Sequence, residues 1–515
     1  MDTKALRQKI LDLAIRGKLV PQDPNDEPAG VLLESIREQK QQMLKEGKLK
    51  KKDIKNDTII FKGEDNLHYE KFQDGTVKCI EDEIPFEVPE GWAWCKLNDI
   101  YNFIDYRGAT PTKITNGIPL VTAKNVKSGY IDYTIDDYIS EEEFKERQQR
   151  GISKKGDILF TTEAPLGNAA LADMEKFSAG QRLITFQQYG SKNELINYVM
   201  LMFILSDFFQ QQLYVNKTGS TVAGIKAAIL KTLWIPVPPY NEQLRISNTL
   251  KSAINLIDSI SKNKEILSTS ISNTKSKILD LAIRGKIVPQ DPNDEPASVL
   301  LERIRAEKEE LIKQGKIKRD KKESVIFKGD DNSYYGIHLP DSWNWASLRE
   351  IALSISDGSH NPPPNNGSGI PLLSAANIND NSILMNEISR WITNEEWKIE
   401  NQRTNIEVGD VLLTIVGSIG RSAVVQNNNH FALQRSVAVI KPCLINPLYL
   451  MHIVQSPQIQ KWLTDNSKGT AQKGIYLNAL SLMIIPIPPL AEQARIVEHI
   501  HIAYKQLDLI SNALL

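Results

Sequence analysis

The chain has 515 residues, 41% of them hydrophobic and 24% charged. This soluble globular balance predicts about three folding units with real cores and excludes a disordered tail, a collagen-like chain and a membrane protein. With 62 Lys and Arg against 63 Asp and Glu, a net charge of -1, no overall basic field announces nucleic acid, and any such partner has to be met by local patches.

The N-terminal segment MDTKALRQKILDLAIRGK is amphipathic and lacks the continuous apolar core of a signal peptide. The longest apolar run, Tyr198 to Leu205, is too short to span a bilayer. Cys79, Cys95 and Cys443 stand far apart without CxxC spacing, against a disulfide scaffold or zinc ribbon and in keeping with a reducing, cytoplasmic setting.

Residues 9–29, KILDLAIRGKLVPQDPNDEPA, return as residues 277–297, KILDLAIRGKIVPQDPNDEPA, with only Leu19 against Ile287 differing. A copy distance of 268 residues is far too long for a solenoid and marks a duplicated half-molecule. After the turn-rich PQDPNDEPA a second helix is predicted in each copy, Gly30 to Glu46 and Ser298 to Gln314. These helices run into lysine-rich stretches, Lys48 to Lys55 and Lys316 to Lys322, of a kind more often solvated than bound to phosphate.

The repeat continues with looser matching. IIFKGEDNLHY (59–69) answers VIFKGDDNSYY (325–335), and PEGWAWCKL (89–97) answers PDSWNWASL (340–348). IPLVTAKNV (118–126) pairs with IPLLSAANI (370–378), and GDILFTTEAPLGNAAL (156–171) with GDVLLTIVGSIGRSAV (409–424). Trp92/Trp94 and Trp343/Trp345 alternate at strand spacing and are expected in the core. IPVPPYNEQLRI (235–246) and IPIPPLAEQARI (485–496) close each half with a Pro-rich stop and a helix start. Between these anchors the copies diverge, as in RGATPTK (107–113) against DGSHNPPP (357–364).

An apolar heptad runs Leu250, Ala253, Ile257, Ile260, Lys264, Leu267, Ile271, Thr274, Ile278, Leu281, predicting a helix of about 40 residues, roughly 60 Å long, that packs on another helix. It should end near Arg284-Gly285, with the glycine as C-cap. The seam recurs as Ile500, Ala503, Leu507, Ile510, Leu514 and continues at the other terminus as Thr3, Leu6, Ile10, Leu13. The termini therefore cut one copy of a helix that is continuous mid-chain. The predicted fold is α+β: two domains of mixed strands and helices joined by a long antiparallel coiled-coil spacer with circular pseudo-two-fold symmetry.

Catalytic alternatives are weak. Asn361-Pro362-Pro363-Pro364 and Val237-Pro238-Pro239-Tyr240 each miss a required position of the (Asn/Asp)-Pro-Pro-aromatic methylase motif, and no glycine-rich cofactor loop or P-loop is visible. A nuclease needs clustered carboxylates around Mg2+. Asp157 recurs as Asp410 in a GD(I/V)L turn, as a turn-closing residue would, whereas Glu163 aligns with Val416. His360 has no nearby ligand set, so no metal site is expected.

The duplicated IPxPPxxEQxRI motifs, the IPL(V/L)(T/S)AxN and GD(I/V)L strings and the late Gln181-Arg182 and Gln434-Arg435, arranged twice around heptad helices, resemble a type I restriction-modification specificity subunit. The resemblance covers almost the whole chain. It implies two target-recognition domains, each reading half of a split double-stranded DNA target, with helices fixing the distance between halves. It also implies two modification subunits that bind S-adenosylmethionine and methylate adenine, and restriction subunits that translocate DNA with ATP and cleave it with Mg2+; this chain itself would hold no cofactor and carry no chemistry. The corresponding regions are 1–55 (N-terminal helical), 56–240 (first recognition domain with its lead-in), 241–318 (central helical), 319–490 (second recognition domain with its lead-in) and 491–515 (C-terminal helix).

Base readout needs forked donors and acceptors on loops braced by phosphate contacts. The candidates in the first domain are Arg107, Thr110, Lys113, Lys124, Asn125, Arg182, Lys217 and Ser220. Those in the second are Ser359, His360, Asn361, Asn377, Arg421, Arg435, Lys468, Gln472 and Lys473. The competing reading is an assembly adaptor whose partners read the DNA.

Overall fold

The computed structural model describes residues 2–55, 57–106, 110–134, 136–189, 194–219, 222–319, 333–469 and 473–513. The chain divides into two units, residues 1–263 and 264–515, and the same frame is built in each.

In the first unit the helix Thr3–Ile15 starts on Asp2, whose carboxylate accepts the Lys4 and Ala5 backbone N–H groups. It ends at Gly17, at φ +65°; the copy in the second unit, Gly285, has φ +64° and is the predicted cap. Gly285 also has no room for a side chain, because a Cβ there would run into Pro340. The second helices span Ala29–Lys45 and Ala297–Lys313, within a residue of prediction. Leu32, Leu33 and Ile36 of one and Leu300, Leu301 and Ile304 of the other are buried. Part of the first lysine-rich run forms a helical turn, Lys51–Ile54; residues 320–322 of the second, and most of 325–335, lie outside the described residues.

The heptad segment is one helix, Tyr240–Ile283, of 44 residues. In the first unit it runs antiparallel to the N-terminal segment, through Gln22–Glu242 (2.8 Å), Asp26–Arg245 (2.5 Å) and an Arg7–Asp258 ion pair. In the second unit its last part runs antiparallel to Leu490–Ala513, through Lys275–Asp508 (2.5 Å) and Tyr504 Oη donating to the Lys275 carbonyl (3.2 Å). The seam is less continuous than its periodicity predicts. Leu250, Ile257 and Ile271 are buried, but Leu267 and Thr274 are exposed, as are Leu256 and Ile266. A heptad names the face a helix offers, and burial needs a partner of matching length.

Each unit has a four-stranded antiparallel sheet, in the order 101–105, 183–188, 158–162, 166–171 in the first and 352–357, 437–442, 411–414, 422–424 in the second. The third strand is buried on both faces: Ile158 and Phe160 enter the larger core, while Leu159 enters a smaller one beneath the loops. Val411, Leu413 and Leu412 repeat this division. A three-stranded sheet joins 118–121 to 178–179 in parallel and to 138–139 antiparallel, and 370–373, 432–433 and 391–392 are its copy. The apolar run 198–205 contributes the buried helix Asn197–Ile204. Among the described residues no helix is long and apolar enough to cross a membrane.

The Pro-rich stops are strands as well as stops. Trp234–Val237 pairs antiparallel with Ala93–Lys96, and Ile484–Ile487 with Asn344–Ser347, setting Pro236 opposite Trp94 and Pro486 opposite Trp345. Two-stranded sheets leave each proline on an edge, where its missing N–H does no harm. All four repeated tryptophans are buried, as expected.

Candidate nucleic-acid interface

The variable loops leave the sheets together. At the end of strand 158–162 the chain turns back through Glu163, and a second loop is strapped to that turn. The Ile225 N–H donates to the Thr162 carbonyl (3.0 Å), and Thr218 and Gly224 exchange backbone hydrogen bonds (2.7 and 3.0 Å). The second unit repeats the strap: the Ile475 N–H donates to the Ile415 carbonyl (2.9 Å), and Lys468 and Gly474 exchange bonds (2.8 and 2.9 Å). Arg182, at φ +64°, accepts the Thr162 N–H (2.9 Å) and hydroxyl (3.1 Å) on its carbonyl. The Gly180 N–H reaches Val121, so the 122–125 turn joins the cluster. In the second unit Ser359, His360, Ser374, Val416, Ser418, Gln434 and Arg435 line one cleft of about 410 Å3.

Fourteen of the seventeen proposed readers lie among the described residues. Thr110, Lys113, Lys124 and Lys217 are exposed in the first unit, and Asn361, Arg435, Lys468 and Lys473 in the second. Lys113 is paired with Asp137 (2.6 Å), Arg182 with Glu163 (2.9 Å), and Lys217 lies over the Tyr214 ring (5.4 Å). Lys124, Arg435, Lys468 and Lys473 have no ion-pair partner among the described residues. His360 Nε2 sits 2.8 Å from Asp357 Oδ2 and 3.2 Å from an Arg403 terminal nitrogen, and Arg403 also grips the buried Asp357. Arg421 is half-buried, with its Nε unbonded beneath the surface among the described residues. Arg107, Ser220 and Gln472 lie outside the described residues.

Two asparagines and a serine are corrected. Asn125 is buried: its Oδ1 accepts the Thr122 N–H and hydroxyl (both 2.9 Å), and its Nδ2 donates to the Asp132 carbonyl (3.0 Å). Asn377 repeats this with the Ser374 N–H (3.0 Å) and the Glu387 carbonyl (2.9 Å). Both amides close turns in the frame and are unavailable to a base edge. Ser359 is also buried, with its backbone bridging to Leu433 and Arg435.

The repeated aspartates have the turn-closing geometry. Asp157 Oδ2 accepts the Lys154 N–H (2.7 Å), and Asp410 Oδ2 accepts the Glu407 N–H (2.8 Å). Burial pushes the Asp157 carboxyl up to about 6 against the opposing bonds from Lys154 and Gln187, and it raises Asp410 against the pull of Lys441.

Residues 89–268 and 340–514 both match the type I restriction modification DNA specificity domain. The chain belongs to this family. The EcoEI specificity subunit of Escherichia coli is 28% identical over 99% of this chain and 90% of its own length. The EcoAI specificity subunit of the same species is 30% identical over 73% of this chain and 67% of its own. A chain from the structural basis of complex assembly and conformational transition of the type I R-M system has a like fold. It has a TM-score of 0.54 at 18% identity, over 84% of this chain and 94% of that one.

Within the second specificity domain, the cleft adds residues that sequence reasoning passed over: Ser374, Gly417, Ser418 and Ser436. Their small size concealed them. Glu163 was set aside as a poor nuclease candidate, yet it stands on the rim against Arg182. The signal was present as the Glu163/Val416 mismatch inside an otherwise repeated string.

Proposed function

We propose that this chain is the DNA-reading subunit of a type I restriction-modification complex, with recognition domains within 56–240 and 319–490 each reading one half of a bipartite target. The observation that carries the reading is one frame built twice with different rims. The straps at Gly224 and Gly474 and the turns at Asn125 and Asn377 coincide, while Glu163 faces Val416 and Asn168 faces Arg421 in the aligned strings. A shared scaffold with divergent exposed polar groups suits two readers of different sequences.

In this reading the chemistry belongs to partners in the cytoplasm. Two modification subunits bring S-adenosylmethionine and methylate adenine in the target, and restriction subunits bring ATP and Mg2+. Asp157 and Asp410 serve as turn-closing residues in this reading, not as metal-holding carboxylates.

The test is to express the chain with its modification partner in a methylation-free host and map methylated adenines. The expected result is a split motif with a fixed gap. Replacing residues 84–240 by those of a homologue of different specificity should change one half and leave the other; change in both halves, or in neither, refutes modular reading. An assembly adaptor instead predicts that charge reversal across Arg107 to Lys113 leaves the target unchanged.

A further inference from the structure

We infer that the position held by Glu163 in the first domain and Val416 in the second determines which base pair each domain accepts at one place in its half-site, the carboxylate selecting a C·G pair together with Arg182. The inference rests on the proposed DNA-reading role and names a reader inside it.

The backbone puts the two residues at the same point. Glu163 bridges to Gly224, and Val416 to Gly474. Next to each stands the arginine of the repeated Gln-Arg pair. Against this constant frame the side chains differ completely. Glu163 Oε1 and Arg182 Nε form an ion pair at 2.9 Å, with side-chain exposures of 43% and 54%. Val416 lines the cleft with Arg435, which has no acid partner among the described residues.

An ion pair this exposed adds little stability, and a carboxylate on a face approaching phosphates is repelled unless it accepts hydrogen bonds there. Glutamate accepts from the cytosine N4 amine, and arginine donates to guanine O6 and N7. The two terminal nitrogens of Arg182 make no hydrogen bond among the described residues and are open to the guanine. One ion pair thus offers an acceptor and a fork to the two edges of a single C·G pair. Val416 offers only methyl groups, which suit a thymine methyl and reject no base by an unpaired charge.

The experiment maps methylated adenines for E163V, E163Q and V416E, each co-expressed with the modification partner, beside the 84–240 exchange. With E163V the preference for C·G at one position of the exchanged half should fall by on the order of tenfold to a hundredfold. E163Q, close to isosteric, should move the same position toward A·T, since glutamine pairs with adenine N6 and N7. V416E should alter one position of the other half. An unchanged motif in E163Q from a complex of normal size on gel filtration overturns the inference, as does an effect on both halves or loss of methylation in that intact complex. Failure of the 84–240 exchange to alter either half refutes the DNA-reading role itself.

Discussion

Asp157 shows how a single buried carboxyl carries a pH signature. Its pKa is raised from 3.8 to about 6, chiefly by burial, so between about pH 4 and 6 the folded chain binds a proton that the unfolded chain does not. Its contribution to stability therefore falls as pH rises through that window and is more favourable below it, by up to about 3 kcal/mol. Asn at this position keeps an acceptor for the Lys154 N–H and Gln187 Nε2 without titrating. Urea unfolding at pH 7 and pH 4 should show wild type gaining stability relative to D157N at the lower pH; a constant difference would sink the assignment. At this scale the sequence was a partial guide. Residue type marked Asn125 and Asn377 as base readers, but an amide reads DNA only if the fold leaves it unbonded, and here neighbouring turns take both ends.

The EQxR motif that opens both long helices locks elements together. Glu242, wholly buried, accepts from Trp92 Nε1 (2.9 Å) and Gln22 Nε2 (2.8 Å); Glu492 does the same with Trp343 (2.9 Å) and Gln290 (2.6 Å). Gln243 and Gln493 accept the N–H groups of Ile196 and Asn446, at the entry to the buried helices Asn197–Ile204 and Pro447–Val454. Arg245 and Arg495 hold Asp26 and Asp294 of the PQDPNDEPA turns (both 2.5 Å). One motif thus ties turn, tryptophan strand and recognition domain to a helix start. Removing the carboxylate in E242A leaves the buried Trp92 donor unpaired, a loss of about 1–3 kcal/mol, whereas E242Q, which keeps an acceptor, should lose less than about 1 kcal/mol. Hydrogen exchange checks the location: E242A should expose residues 17–29 and leave 285–297 protected, and equal loss in both copies would contradict it. Helix starts, caps and the Trp strands were legible because they obey local rules. The lock was not, since it joins residues 47 to 220 positions apart.

For the whole molecule the deciding quantity is charge. A chain of net charge -1, with Lys113 and Arg182 already paired to acids on the rim, neutralises few phosphates by itself. Affinity for duplex DNA should therefore be weak for the isolated chain and its log K against log salt slope shallow, at roughly -0.9 per phosphate contacted. Adding the modification partner should steepen the slope markedly. Fluorescence anisotropy across a salt series measures both, and an isolated chain with a slope as steep as the complex would show that its own loops supply the positive surface.

The sequence by itself determined the duplication, the order of elements, the helix caps and the family, because each is written in residues close together or in strings that recur. Only the tertiary structure decided which polar side chains remain at the rim. Most buried polar groups find a partner, and for Asn125, Asn377 and Glu242 that partner is set by which loops, strands and helices the fold brings together.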